Sequence, residues 1–400
     1  MENKMKLPLK GIKVLEMGSL IAGPFCTRIL ADFGAEVIKI ELPKHGDQLR
    51  QWRVLHEGTS LWWYVQSRNK KTISVDCRSE EGLEVVKTLL SECDVLVENF
   101  RPGTLAKWGL TDEVLQEVNP DLITCQISGY GQDGPYKDRA GYGAIGEAMG
   151  GLRYLTGYPE LPPTRVGISI GDSVASLYSV IGILMSLYHR DVNNGEAQKV
   201  DVALYEAIFS LMESMLPEYD RAGVKRERTG ATLPGIAPSN IYKTKDGSYI
   251  VIAANGDNIF QRFLEVMNKD ELVGDERYLT NDRRAENIEF IDNMIQDWTM
   301  NYPLKECVDI LNNNGIPAGA IYSIEDMLQD PQYKAREMIV DVPHPDLGSL
   351  KVPGIVPKLS KTPGQINWLG SKIGEHNLEV FQDIGLTKEQ INQLYAKGVI

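Results

Sequence analysis

Cysteine is scarce in this 400-residue chain, and the five present, Cys26, Cys77, Cys93, Cys125 and Cys307, are odd in number and far apart. No C-x-x-C pair occurs among them, which argues against a disulfide framework or a zinc site and for a reducing cytoplasm. Basic residues are outnumbered, 42 Lys and Arg against 55 Asp and Glu, for a formal net charge of −13. Such a surface disfavours nonspecific attraction to nucleic acid or an anionic membrane, so an anionic ligand needs a local basic pocket. Long apolar runs are missing too. Residues 1–8 are polar and carry no signal-peptide core, and the most apolar stretch, 177–188, is too short and interrupted to span a bilayer. Neither secretion nor a membrane anchor is expected.

Apolar residues make up 42% of the chain, and its length exceeds what one hydrophobic core usually serves, which predicts two globular domains. From residue 10 to 39 the pattern runs strand (13–17), Gly-rich turn, helix (24–33), strand (36–40). It continues with strands at 72–76, 95–98, 122–127 and 199–202 and a helix over 80–92. Short Val- and Ile-rich strands alternating with helices read as α/β, a Rossmann-like parallel sheet. A long helix to about 222 then meets a Gly/Pro-containing link, 229–238. The large domain is therefore placed at 1–224 and a small α+β domain at 225–325. The latter holds strands 240–243 and 249–253 around Asp246-Gly247, where Gly tolerates a tight turn, and helices over 258–267, 283–300 and 304–313. The tail, 326–400, ends in helical patterns at 377–384 and 388–397 and is expected to return to the large domain or embrace a partner subunit.

Several motifs compete for the chemistry. Residues 129–134 and 141–146 both match G-x-G-x-x-G, yet the first leads to Pro135 rather than a helix and the second follows no strand. Gly167-Ile168-Ser169-Ile170-Gly171 matches the nucleophile elbow of serine hydrolases, with His189, His344 and His376 as the downstream bases. Gly171-Asp172 precedes apolar positions 174, 177, 178, 181, 184, 185 and 188, which is helical spacing. Asp172 then sits at a helix N-terminus, where the dipole and free N–H groups favour the carboxylate. It is either an ordinary N-cap or a carboxylate nucleophile. Arg78, Arg101, Lys107 and Arg139 lie near strand ends, at the carboxyl edge where phosphates bind. Asn99-Phe100 offers an amide and a ring there for an adenine.

Ordered matches along the chain are more specific than any of these. They are residues 11–16 (Gly-Ile-Lys-Val-Leu-Glu), Ala22-Gly23-Pro24, 34–41 (Gly-Ala-Glu-Val-Ile-Lys-Ile-Glu), Asn69-Lys70, 97–103 (Val-Glu-Asn-Phe-Arg-Pro-Gly), Ser128-Gly129-Tyr130-Gly131, Gly171-Asp172 and Gly374-Glu375-His376. In these the chain resembles the class III CoA-transferase (CaiB/BaiF) family over essentially its whole length. Residues 112–115, 330–333 and 363–366 look similar to its carnitine branch, with 2-hydroxy acid branches related.

The resemblance implies an interlocked homodimer of two-domain subunits that moves CoA from an acyl-CoA to a small carboxylic acid. It makes Asp172 the nucleophile of a mixed anhydride and an aspartyl-CoA thioester. For CoA it implies Ala22, residues 75–78 including Val75 and Arg78, then Asn99, Phe100, Arg101, Lys107 and residues 139–142 from Arg139 to Tyr142. Gly143 becomes an oxyanion or substrate-loop residue, and acyl-CoA is a substrate beside which no metal, redox group or tightly bound cofactor is implied. Leu42 stands where some members carry a phosphate-binding arginine, and no tetraglycine loop of the formyl-CoA:oxalate branch occurs between 230 and 256. Racemases of the superfamily use a histidine where this chain has Tyr142, and a near-neutral base suits α-proton removal as tyrosine does not. Racemisation, a Ser169 hydrolase and a catalytically silent acyl-CoA binder remain the alternatives.

Overall fold

Short apolar strands joined by amphipathic helices bury their faces best as a parallel sheet covered on both sides. The computed structural model describes residues 7–400; residues 1–6 of the polar N-terminal segment lie outside that range. Its largest sheet has six strands: β1 (Lys13–Glu16), β2 (Glu36–Glu41), β3 (Lys70–Ser74), β4 (Val95–Glu98), β5 (Ile123–Ser128) and β6 (Lys199–Ala203). All neighbouring pairs are parallel, in the order 3-2-1-4-5-6. The α/β class with a large parallel sheet is as predicted. That strand order reverses between β1 and β4, which opens a crevice beyond their carboxyl ends.

The sheet belongs to a compact unit formed by Met1–Leu152, Val166–Asp220 and Ala335–Ile400. Val14, Leu15, Val95, Leu96, Val97 and Ile123 are buried in its middle. Helix Ala22–Asp32 leaves β1 with Pro24 in its first turn, where a missing N–H costs no helical hydrogen bond. The tail returns to the same unit: Asn377 Oδ1 accepts the Ser74 N–H at 2.8 Å, and Asp76 N–H donates to Val399 O at 2.7 Å. It also contains an antiparallel ribbon, Ile339–His344 with Gly348–Pro353, that the sequence pattern did not reveal. Only Val342 and Val352 of that ribbon are buried, onto Leu49, Trp63, Tyr64 and Leu369, and its two prolines mask the strand signal.

Two predicted long helices are each broken. The one running to about 222 stops at Leu204–Phe209 and restarts at Met215–Ala222, because Glu213 at φ +50° cannot continue a right-handed helix. The one over 283–300 is Asn281–Glu286 and Ile288–Thr299, parted at Asn287, whose amide donates to Arg283 O at 2.9 Å instead.

Helix Ile170–Val192 is longer than the 177–188 window suggested: at 23 residues it is, by length and composition, long and apolar enough to cross a membrane. One face (Val174, Ala175, Ser179, Val180, Ile183, Leu187) is buried within the unit, as in a core helix of a globular domain. The opposite face leaves Leu177, Ile181, Leu184, Met185 and Tyr188 exposed.

The second unit comprises Arg153–Arg165 and Arg221–Lys334. Its antiparallel sheet places Tyr249–Ala253 between Ser239–Lys243 and Ala318–Ala320. The turn at Asp246-Gly247 is as read from sequence, with Gly247 at φ +81°. Phe260, Phe263, Ile291, Ile295 and Leu311 fill the core behind it.

Candidate active site

Helix Ile170–Val192 begins after Ser169, which makes no side-chain cap, so Asp172 is the third residue of its first turn rather than the N-cap. A carboxylate there and His189 and Arg190 in the last turn both complement the helix dipole. Helix Gly143–Met149 crosses this end closely because both sides are glycine: a Cβ on Gly171 would come within 2.8 Å of Gly143 O. A Cβ on Gly143 would overlap the Asp172 carboxylate itself. The Gly143 main chain therefore lies directly against the carboxylate, and any larger residue there would displace it. Gly146 and Gly150 press in the same way on Leu204 and Ile208, which seats the whole helix. Of the two glycine motifs, the second does open a helix, at Gly143, and the first does not.

A cleft of about 260 Å³ lies at the carboxyl edge of the sheet, lined by residues that follow β1, β2, β3 and β4. Val75, Arg78 and Phe100, nominated from sequence, line it. So do Asp76 and Cys77 of the nominated stretch 75–78, and Met17, Gly18, Ser19, Leu42, Gly46, Asp47, Gln48 and Trp108, which sequence reading did not place there as lining. The rule that ligands sit beyond strand ends extends to the turn after β2, and that signal, carried by Gly46-Asp47, went unused. Arg78 is aimed by Asp76, with Nε and Nη2 at 2.8 and 2.9 Å from its two oxygens. Phe100 meets Trp108 edge-on at 5.0 Å.

Other nominated residues stand elsewhere. Asn99 binds the main chain of Ser19: its Oδ1 accepts the Ser19 N–H at 2.8 Å and its Nδ2 donates to Ser19 O at 2.9 Å. Ala22 starts helix Ala22–Asp32, and its carbonyl accepts from the Ser176 hydroxyl at 2.7 Å, one turn beyond Asp172. The segment 18–22 thus runs from the cleft wall to the Asp172 helix. Arg101, Lys107, Arg139 and Tyr142 do not line the cleft. Arg139 instead stacks over the Tyr136 ring at 3.5 Å, and Tyr142 precedes helix Gly143–Met149 with its side chain 69% exposed as a residue.

Beneath the segment 18–22 lies a cluster of buried charges. Glu16 receives Lys39 Nζ at 2.7 Å, Lys70 Nζ at 2.8 Å and the Thr27 hydroxyl at 2.6 Å. Burial opposes its charge, but the two ammonium groups together outweigh that and hold the carboxyl down to about 2. The lysines respond oppositely. Burial pushes Lys70 down to about 8, whereas Lys39, which also pairs with Asp47 at 2.9 Å, is raised despite its burial. No comparable cue exists in the sequence, where Glu16 and Lys39 read as ordinary strand residues and Lys70 falls just before a predicted strand.

Glu98 at the end of β4 is buried, and that burial raises its carboxyl to about 7. The Phe100 N–H at 2.6 Å and Gln126 Nε2 at 3.1 Å offset this only in part. A folded value near 7 against an ordinary 4.5 means the native state binds more protons in that window. Stability is therefore highest below about 4.5 and is lost as pH rises through 7, the reverse of a salt-bridged carboxylate. Relative to Glu98→Gln, the parent should lose about 2 kcal/mol between roughly pH 5.5 and 8, read by urea unfolding at both values. Parallel pH dependence in parent and variant would remove Glu98 as the source.

The elbow reading of Ser169 finds no base. His344 Nδ1 accepts the Asp346 N–H at 3.2 Å and its ring meets Tyr64. His376 Nδ1 accepts the Thr72 N–H at 3.1 Å, and His189 lies in the last turn of the helix that Ser169 precedes.

Comparison with known proteins identifies the family. The family model described as CoA-transferase family III matches residues 9–377. The chain is 50% identical over 395 residues to the succinyl-CoA–D-citramalate CoA-transferase of Chloroflexus aurantiacus, covering 98% of each. It is 39% identical over 399 residues to the succinyl-CoA–L-malate CoA-transferase beta subunit of the same organism, again 98% of each. A CaiB/BaiF family protein from Brucella suis, solved as a crystal structure, superposes with a TM-score of 0.84 at 34% identity, covering 95% of this chain and 100% of that one. The chain belongs to the class III CoA-transferase family and is an enzyme that moves CoA from an acyl-CoA to a carboxylic acid.

Proposed function

We propose that this enzyme transfers CoA from succinyl-CoA to a 2-hydroxy dicarboxylic acid of the citramalate or malate kind, with Asp172 as covalent nucleophile. The observation that carries the role of Asp172 is its carboxylate in the first turn of a long helix, against the main chain of Gly143. The substrate class rests on the two transferases at 50% and 39% identity. Asp172 attacks the thioester carbonyl, CoA leaves as thiolate, and a mixed anhydride of Asp172 and the succinyl group forms. The thiolate then attacks the Asp172 carbonyl, which releases succinate and leaves an aspartyl-CoA thioester. The acceptor carboxylate repeats the first step on that thioester, and CoA resolves the second anhydride at the acceptor's acyl carbon, restoring Asp172. Each intermediate keeps the activation of the original thioester, provided water stays out.

The cleft takes part of CoA, with Phe100 and Trp108 beside its apolar or ring portions and Arg78 facing phosphate. Arg101, Lys107, Arg139 and Tyr142 contact CoA from the rim. No resident cofactor is needed for this chemistry, and five buried free cysteines suit a cytoplasmic enzyme. The exposed apolar stripe of helix Ile170–Val192 is covered by a second copy in an interlocked homodimer, so sedimentation should return twice the chain mass. The test of function is intact-protein mass spectrometry with succinyl-CoA, followed by acceptor competition among citramalate, malate, glutarate and carnitine. A CoA adduct mapped to Asp172 and discharged fastest by a hydroxy diacid is the expected result; adduct-free protein that turns over would overturn it.

A further inference from the structure

Leu20 adopts a left-handed backbone, φ +64°, a conformation that L-residues other than Gly, Asn and Asp seldom enter. It has no glycine's freedom, so its surroundings must hold it there. Both oxygens of the Asp47 carboxylate accept the Leu20 N–H, at 3.1 and 3.2 Å. Asp47 is itself buried and fixed by Lys39 at 2.9 Å. Lys39 also donates to Gly18 O at 2.8 Å, while Asn99 takes both main-chain groups of Ser19. The main chain of 18–20 is therefore gripped at four points by three side chains: Lys39 within β2, Asp47 in the loop after it, and Asn99 just after β4. This same segment forms one wall of the cleft and, through Ala22 O, touches the Asp172 helix at Ser176.

We propose that Asp47, tied to Lys39, is a positioning residue for CoA transfer: it holds Leu20 left-handed, so that the cleft wall and the Asp172 helix keep one register. The idea rests on the Asp172 reading given above. Asparagine at position 47 keeps shape and one acceptor, but its amide must point N–H groups at either Lys39 or the Leu20 N–H, donor against donor. The Leu20 N–H then keeps one acceptor of its two, and either it or Lys39 faces a donor, so the tie from Lys39 through Asp47 to Leu20 is weakened without a change in size.

The test uses the whole enzyme with succinyl-CoA, comparing Asp47→Asn, Leu20→Gly and the double variant, each with its melting midpoint. Donor kcat/KM should fall roughly 10- to 100-fold in Asp47→Asn, with KM for succinyl-CoA raised, as expected of a misplaced thioester. In the Leu20→Gly background the loss caused by Asp47→Asn should shrink by about threefold or more, because glycine enters the left-handed region unaided. A donor kcat/KM within about twofold of the parent, or an equal loss in both backgrounds, overturns the proposal. So does a fall in kcat alone that tracks lost folded protein, since that is a structural role. Should Asp47→Asn not fold, Leu20→Pro tests the same geometry with both charges in place, because proline forces φ negative and removes the N–H. Full activity in Leu20→Pro overturns the proposal. Asp172→Ala, run beside them, separates the two readings: an adduct that survives it defeats the covalent assignment, and the coupling between Asp47 and Leu20 is judged on donor kcat/KM alone.

Discussion

Asp172→Ala is expected to lose transfer by on the order of 10³-fold or more, and Asp172→Asn to do the same while keeping the helix start intact. The asparagine variant is the sharper test. It preserves volume and a polar first turn, so its melting midpoint should match the parent, and only the nucleophilic carboxylate is gone. Gly143→Ala approaches the same loss from the other side. A methyl group there overlaps the carboxylate, so the side chain must rotate away or the two helices must part. Either movement displaces the nucleophile by ångströms, for which roughly 10²-fold in kcat is the expected cost. Quenched intact-mass measurements with succinyl-CoA should show no CoA adduct on either Asp172 variant and a slowed adduct on Gly143→Ala. Turnover within about tenfold of the parent in Asp172→Asn would sink the nucleophile assignment, because no neutral amide replaces a carboxylate in forming an anhydride.

Glu16→Gln is the variant expected to damage the fold most. Glu16 is wholly buried and shared by Lys39 and Lys70, so the substitution leaves two buried ammonium groups around a neutral amide. Lys39 keeps Asp47, but Lys70 keeps only the Pro24 carbonyl at 2.7 Å. Breaking such a buried pair from one side costs about 3–5 kcal/mol, which lowers the melting midpoint of a domain this size by roughly 10 °C. Lys70→Met should cost clearly less, because burial already disfavours that charge and Glu16 retains Lys39 as partner. The acid limb follows from the depressed Glu16 carboxyl: its contribution is fully present above about 4.5 and lost as pH falls towards 2. Calorimetry that puts Glu16→Gln within about 2 °C of the parent, or Lys70→Met below it, would contradict this account.

The strands were legible because a buried parallel strand is built on a short apolar core, and Val14-Leu15, Val95-Leu96-Val97 and Ile123 with Cys125 and Ile127 supply one each. Asp172 was legible as the start of a helix, since the apolar spacing behind it is unambiguous, although its exact turn position was not. Helix breaks at Glu213 and Asn287 escaped because the apolar period continues across them and only backbone conformation differs. The hold of Asn99 on Ser19 escaped for a related reason. A polar side chain at a sheet edge looks the same whether it serves a ligand or, as here, the main chain of a loop from another strand.

By itself, then, the sequence determined the α/β class and the helix that presents Asp172, because each depends on composition or on local periodicity. Only the tertiary structure decided that Gly143 lies on the Asp172 carboxylate, that Glu16, Lys39, Lys70 and Asp47 form one buried cluster, and that Leu20 is held left-handed above it. Those facts join residues from different strands, and low-dielectric pairing of charges is a property of where side chains meet, which no single stretch of chain encodes.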